Sequence, residues 1–280
     1  MDRSKLTFEE AEGASAVPSQ LALKEVSQEL RAILWARFYD VIRVYDGEIV
    51  EPWDVILRNM HIYKEHKMAD DFDPSWRFQS ARLKKLFSEG TYIEIFGFIQ
   101  YVLRQNKCPY GLDDIIDSIL SYTRAAYRVV DGATIAPVAS EEDRVNLERA
   151  FADLAKVEFN GARQHLRKAA ESAAAGQWAD SVRESVHSVE ATARKLIPEA
   201  RELGPALTKL EESAAIHGAL KKGFGAIYGF SSDEKGIRHP LIDDRSANVD
   251  ETDALFMLGA CAAFVSYLIG KGRAAGLIAA

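Results

Sequence analysis

Cysteine is scarce in this sequence. Only Cys108 and Cys261 are present, far apart and without a Cys-x-x-Cys spacing. This excludes a disulfide framework and a zinc site built from paired cysteines. The chain also lacks the GxSxG motif, a catalytic Cys-His signature and the GxGxxG loop of dinucleotide-binding folds. A reducing cytosol suits such a chain, so we expect a cytoplasmic location.

An excess of positive charge is also absent. The 35 Lys and Arg residues are outnumbered by 42 Asp and Glu residues, the formal net charge is -7, and neither half of the chain is basic. Any nucleic acid must therefore be bound by a local group of cations instead of a broad positive face. The N-terminal stretch MDRSKLTFEEAEG is polar and acidic, unlike a signal peptide.

A single long apolar run is present, ALFMLGACAAFVSYLIG, at 254–270. It has 17 residues, whereas a membrane span usually needs about 20. Asp250, Glu251 and Asp253 precede it and Lys271 follows, an order that suits the helix dipole. We expect the buried last helix of a bundle and no membrane partner.

Helical periodicity dominates the first half of the chain. Leu30, Leu34 and Phe38, for example, recur at steps of four residues on one helix face. The predicted helices cover 20–46, 52–68, 75–89, 91–106 and 111–128, with a loop at 70–75. Asp46-Gly47 is interpreted as the end of the first of them.

The pattern changes at YRVVDGATIAPV, residues 127–138. Asp131-Gly132 lies between two β-branched runs and suits a two-residue turn in which both positions have positive φ, so a small β-hairpin is predicted. We place the domain boundary after it. Residues 1–139 form a helical accessory or sensor module ending in the hairpin, and residues 140–280 form a helical bundle.

The second half again shows helical periodicity. The predicted helices cover 140–175, 178–197, about 205–218 and 250–270, with a long connection at 219–249. Four helices with one long connection are typical of a four-helix bundle. The predicted fold class is all-α: an N-terminal helical module with a small β-hairpin, followed by a four-helix bundle.

A polar stripe follows the helix predicted at 178–197. Arg183, His187, Glu190 and Arg194 recur at steps of four, three and four, and they border the apolar stripe of the same helix. One interpretation is a ladder of ion pairs on a surface helix. The other is the wall of a polar groove.

A cation, an imidazole and a helix breaker are adjacent in SSDEKGIRHPLIDD, residues 231–244: Arg238, His239 and Pro240. Pro240 restricts the backbone of His239 and so fixes where its ring points. The surrounding acids raise the pKa of an imidazole toward neutrality, which allows proton exchange at physiological pH. This stretch is either an active site or a polar loop between two helices.

Cations also occur nearby in KKGFGAIYGF, residues 221–230. Lys221, Lys222 and, further on, Lys235 are candidates for binding RNA phosphates, with Phe224 and Tyr228 as stacking rings. The alternative is a helix end whose rings are buried. No metal site is expected, because His61 and His66 do not have the i,i+4 spacing of zinc ligands, and no cofactor is expected either.

Three stretches carry a resemblance to a known family. GARQHLRKAAESAAAGQWADSVRESVHSVEATARKLI resembles the first two helices of the HEPN superfamily (higher eukaryotes and prokaryotes nucleotide-binding). IYGFSSDEKGIRHPLIDD, followed by VDETDALFMLGACAAFVSYLIGK, resembles the C-terminal part of AbiJ-like abortive-infection proteins of bacteria. AYRVVDGATIAPVASEED resembles part of their accessory domain.

The resemblance implies an antiphage effector that is a metal-independent endoribonuclease and a homodimer, set off by a phage-derived trigger. It implies catalytic roles for Arg238 and His239, with Glu190 or His187 orienting them. The family pattern is an Arg, four to six residues, and then a His, whereas Arg238 and His239 are adjacent here. That difference supports the alternative, a non-catalytic HEPN-fold module for dimerisation and binding that senses a phage component or holds a toxin partner.

Overall fold

The computed structural model describes Phe8, Glu12, Ala14 and residues 20–138, 140–156, 159–213, 215–233 and 247–278. The chain divides into two compact units, Met1–Ala133 and Thr134–Ala280. The described residues form eleven α-helices and two small two-stranded sheets, which confirms the all-α class with a small β-hairpin.

The first unit is mainly helical. Its helices are α1 (Gln28–Val41), α2 (Trp53–Asn59), α3 (Trp76–Glu89), α4 (Tyr92–Leu103) and α5 (Leu112–Tyr122). Strands β1 (Val44–Tyr45) and β2 (Glu48–Ile49) pair between α1 and α2, and β3 (Tyr127–Val130) follows α5. The helices predicted at 75–89, 91–106 and 111–128 are therefore present, although the last two end earlier than predicted.

The helix predicted at 20–46 is shorter than expected. It begins after Ser27, whose side chain accepts a hydrogen bond from the Leu30 amide, as a helix N-cap does. Asp46 and Gly47 do not simply end it; their φ angles of 49° and 81° make the tight turn between β1 and β2. The helix predicted at 52–68 is also shorter, because α2 passes into a π-helical turn at Met60–Lys64.

Four aromatic side chains form the core of the first unit. Phe38 lies 5.2 Å from both Phe87 and Phe98 and 5.9 Å from Trp53, measured between ring centroids. All four are buried. Rings at these separations gain more than area burial alone provides, so this cluster holds α1, α2, α3 and α4 together.

The predicted hairpin at 127–138 is confirmed. Strands β3 and β4 (Thr134–Pro137) form a two-stranded sheet, and Asp131 and Gly132 have φ angles of 54° and 70°. Both turn residues thus have the positive φ that the Asp-Gly pair predicts. The boundary between the two compact units falls in this hairpin, between Ala133 and Thr134.

The second unit contains more helices than predicted. They are α6 (Glu141–Lys156), α7 (Asn160–Ala174), α8 (Trp178–Leu196), α9 (Leu203–Glu212), α10 (Gly218–Asp233) and α11 (Glu251–Ala274). The single helix predicted at 140–175 is therefore two helices, and α10 occupies much of the connection predicted at 219–249. A bundle does form, from α6, α7, α8 and α11, with α9 and α10 packed on α8.

Helix α11 contains the apolar run and is the last element of the bundle. Asp250 and Asp253 form a reciprocal capping box at its start, and Lys271 and Arg273 lie in its last turn. By length and hydropathy it is the one helix in the described part of the chain that could cross a membrane, and 56% of its apolar window is buried inside the protein. Helix α11 packs against α6 and α8, as expected for the core helix of a bundle.

Candidate functional site

The polar stripe of α8 runs along the edge of the bundle core. Val182, Val186 and Val189 on the same helix are buried. Beside them, His187 is half-buried and the Glu190 side chain is only 15% exposed. The stripe therefore borders the core as predicted, in a place where charge is less well solvated than on an open surface.

Two histidines and a carboxylate meet between α7 and α8. The Nδ1 atom of His165, on α7, lies 2.7 Å from Oε2 of Glu184, on α8. The rings of His165 and His187 meet edge to face with their centroids 5.2 Å apart. One potential ligand atom from each of the three residues lies within 4.8 Å of the other two. We call these three residues the histidine cluster.

An arginine on α8 shares the carboxylate of the histidine cluster. Nε of Arg183 lies 3.8 Å from Oε1 of Glu184, while its NH2 atom lies 2.7 Å from Oδ1 of Asp180. The Glu184 side chain is 14% exposed, so its negative charge is held in a poorly solvated place by His165 and Arg183. Arg183 thus pairs with acids outside the predicted stripe, and the ion pair between two members of the stripe is Glu190 with Arg194, 4.0 Å apart.

The surroundings of His187 favour its neutral form. Burial, the largest cause, lowers the pKa of its imidazole below the ordinary value of 6.5. Glu184 and Glu190 raise that pKa, and His165 and Arg183 lower it. A neutral imidazole has one nitrogen free to accept a proton, a hydrogen bond or a metal ion.

The lowered pKa of His187 has a consequence for stability. The unfolded chain binds a proton at His187 more readily than the folded chain does. The contribution of His187 to the free energy of unfolding is therefore complete above about pH 6.5 and is lost as the pH falls below that value. We expect thermal unfolding to show a larger drop in melting temperature from about pH 7.5 to about pH 5.5 in the wild type than in His187→Gln. An equal or larger drop in the variant would contradict this assignment.

Glu190 connects α8 to α10. The Tyr228 hydroxyl, on α10, donates a hydrogen bond of 3.4 Å to Oε2 of Glu190, and NH1 of Arg194 lies 4.0 Å from Oε1. One helical turn earlier on α10, the Phe224 ring stacks on Phe264 of α11. The rings of Phe224 and Tyr228 therefore anchor α10 to the bundle, although they are half-buried and lie within the helix, whereas the alternative interpretation was a helix end with buried rings.

The predicted RNA-binding lysines differ in their surroundings. Lys221 is paired with Glu211, Nζ to Oε2 at 2.6 Å, whereas Lys222 is exposed. Lys235, Arg238 and His239 lie outside the described residues. The structure therefore brings His187 and Glu190 together on one stripe and leaves their relation to Arg238 and His239 as a prediction.

An open groove of about 450 Å³ lies between the start of α7 and the end of α8. Asn160 and Gly161 line one side, and Arg194 and Lys195 line the other. Arg194 belongs to the predicted polar stripe, but Lys195 and this groove were not predicted, because the approach of α7 to the last turn of α8 depends on the packing of two helices.

His165 and Glu184 were not predicted as site residues either. A signal was present, since Glu184 and His187 form a Glu-x-x-His pair that lies on one helix face. Glu-x-x-His pairs occur in the metal sites of helical bundles. His165 belongs to the preceding helix, and only the packing of α7 against α8 brings it to this pair.

No family model matches the chain, and neither the curated proteins nor the solved structures include a match. The likeness to AbiJ-like and HEPN proteins therefore stays a prediction from the stretches that carry it. Function has to be inferred from the chemistry of the residues themselves.

Proposed function

We propose that this protein is a cytoplasmic antiphage effector of bacteria whose second unit cleaves RNA without a metal ion, in the manner of HEPN ribonucleases. The observation that supports the proposal most is the hydrogen bond from Tyr228 to Glu190. It anchors α10 beside the polar stripe of α8, and the segment with Arg238 and His239 follows directly after α10.

In this proposal, the reaction is an acid–base cleavage. His239 takes the proton from a ribose 2′-hydroxyl, and the oxygen then attacks the adjacent phosphorus. Arg238 stabilises the negative charge that develops on the phosphate oxygens. The bond between phosphorus and the 5′-oxygen breaks, the 5′-oxygen takes a proton from water, His239 releases its proton to the solvent, and the other product ends in a 2′,3′-cyclic phosphate. DNA does not react because it has no 2′-hydroxyl.

Two residues of the polar stripe act as positioning residues. Glu190 is poorly exposed and already accepts a hydrogen bond from Tyr228, so it can orient a cation or an imidazole brought next to it. Burial lowers the pKa of His187 and so favours its neutral form, which can accept a hydrogen bond without repelling Arg238. Neither role requires a broad basic surface.

Local cations provide the contacts to the RNA backbone. Lys222 is exposed and free to approach a phosphate, and Lys235 lies near the proposed catalytic pair in the sequence. Lys221 contributes less than predicted, because Glu211 already pairs with it. Arg194 and Lys195 in the groove between α7 and α8 add two further cations, which suits a chain with a net charge of -7.

We expect a homodimer formed through the second unit, because HEPN proteins that act on RNA pair their motifs across a dimer interface. Val145, Leu220 and Phe256 are large apolar side chains exposed in this unit. Light scattering at micromolar concentration should give twice the chain mass of 31.1 kDa, with an interface above about 1,000 Å² in total. A monomer across that concentration range would contradict the prediction.

The first unit is the proposed sensor. It has a core of its own, built on the aromatic cluster around Phe38, and so it can recognise a phage-derived trigger as a separate module. The ribonuclease of the second unit would then act only in infected cells.

The test is expression in bacteria during phage infection, with RNA integrity and survival measured together. The proposal expects protection accompanied by RNA fragments that end in a 2′,3′-cyclic phosphate, and purified protein that cleaves RNA but not the matching DNA in the presence of EDTA. Protection with intact RNA would refute the nuclease. It would leave the non-catalytic module that senses a phage component or binds a toxin partner.

A further inference from the structure

We infer that the histidine cluster, His165, Glu184 and His187, is a binding site for a divalent transition-metal ion, with Zn²⁺ as the best fit. Three potential ligand atoms, two imidazole nitrogens and one carboxylate oxygen, lie within 4.8 Å of one another. They come from two helices that pack along each other, α7 and α8. This is contrary to the expectation from sequence that no metal site is present.

The ligand types are those of zinc. Zinc binds histidine nitrogen and carboxylate oxygen at about 2.0–2.2 Å, and sets of three protein ligands leave a fourth position open for water or substrate. Ligand atoms around a tetrahedral ion of that size lie roughly 3.4 Å apart. The three ligand atoms of the histidine cluster lie within 4.8 Å of one another, so they have to draw closer, whereas Nδ1 of His165 and Oε2 of Glu184, 2.7 Å apart, have to separate if both bind the ion.

The scaffold is suited to hold the ligands in place. Glu184 and His187 are three residues apart on α8 and share one helix face. The ring of His165 is already oriented by its 2.7 Å contact with Glu184. None of the three is fully exposed, so binding does not have to order long mobile side chains, which lowers the cost of binding.

The neighbouring charges both favour and oppose a cation. The Glu184 carboxylate, which belongs to the cluster, favours a cation. Arg183 is the opposing group, since its Nε lies 3.8 Å from Glu184. Its NH2 atom is already bonded to Asp180 at 2.7 Å, so Arg183 has a second carboxylate to pair with when an ion binds Glu184.

The ligand set also indicates which ions are excluded. Mg²⁺ and Ca²⁺ prefer six or more oxygen ligands, and the histidine cluster offers a single carboxylate. Imidazole nitrogen favours zinc, copper and nickel instead. The inference shares His187 with the proposed function but does not rest on it, because it uses no residue of 234–246 and its test measures metal binding and not RNA cleavage.

The test is calorimetric titration of the metal-free full-length protein with Zn²⁺. One ion should bind per chain, Mg²⁺ should not bind, and His165→Ala, Glu184→Gln and His187→Ala should each weaken binding at least about tenfold. His217→Ala is the matched control, because His217 is an exposed histidine of the same unit, and it should bind as the wild type does.

A second measurement on the wild type does not depend on how the variants fold. Zn²⁺ should protect His165 and His187, but not His217, from modification by diethyl pyrocarbonate, as read by peptide mass spectrometry. The inference is overturned if the wild type shows no saturable zinc binding, if zinc fails to protect the two cluster histidines, or if binding survives unchanged in all three variants.

Discussion

Replacing His239 with alanine is expected to lower the rate of RNA cleavage at least about 100-fold, because a positioned general base contributes on the order of 100- to 10,000-fold to such a reaction. Phage protection should be lost together with RNA cleavage. The melting temperature should stay within about 1 °C of the wild type, since a side chain that acts on substrate contributes little to the fold. Cleavage of labelled RNA, phage survival and thermal unfolding measure the three quantities.

Two further variants separate chemistry from structure. Arg238→Ala should behave like His239→Ala, whereas Lys235→Ala should lose affinity for RNA but retain cleavage at saturating RNA. If Arg238 and His239 only close a salt-bridged loop, each alanine variant should instead lose about 1–3 kcal/mol of stability. A stable His239→Ala protein that protects fully would remove the nuclease mechanism.

The second large effect concerns the first unit. Phe38→Ala is expected to lower its free energy of unfolding by about 3–5 kcal/mol, because Phe38 is fully buried and contacts the rings of Trp53, Phe87 and Phe98. Denaturant titration measures the loss. Tyr110→Ala is the control, since Tyr110 is fully exposed and its removal should change stability by less than about 0.5 kcal/mol. Equal effects of the two changes would show that the aromatic cluster does not hold this unit together.

Local chemistry made part of the fold predictable. Asp131-Gly132 predicted a hairpin correctly because a tight turn depends on only two residues. The same pair at Asp46-Gly47 was interpreted as a helix end, although it also forms a hairpin turn. Strands as short as β1 and β2 leave no periodicity that could have corrected that interpretation.

Helix α10 was not predicted, because its own residues disfavour a helix. Gly218, Gly223, Gly225 and Gly229 give this stretch a low helix propensity, which favoured a connection. Its helix is supported by packing instead, since Phe224 stacks on Phe264 of α11. Such support comes from a helix more than thirty residues away in the sequence, and no local pattern records it.

Only part of the candidate site was predictable from the sequence. The stripe containing His187 and Glu190 follows from the period of one helix, which sequence reveals. The partnership of His187 with His165 depends on how α7 is rotated against α8, which is decided by packing and not by either helix alone. Residues that meet across two helices are therefore the part of a site that sequence periodicity leaves undetermined.

The place of α11 in the chain has a consequence during synthesis. It is the last described helix, yet it covers α6 and α8. A ribosome adding roughly 5–20 residues per second leaves the apolar face of α8 uncovered for on the order of ten seconds before residues 251–274 emerge. During that time the nascent chain exposes apolar surface of the kind that chaperones bind. Any activity that needs the complete bundle can begin only after α11 has been synthesised.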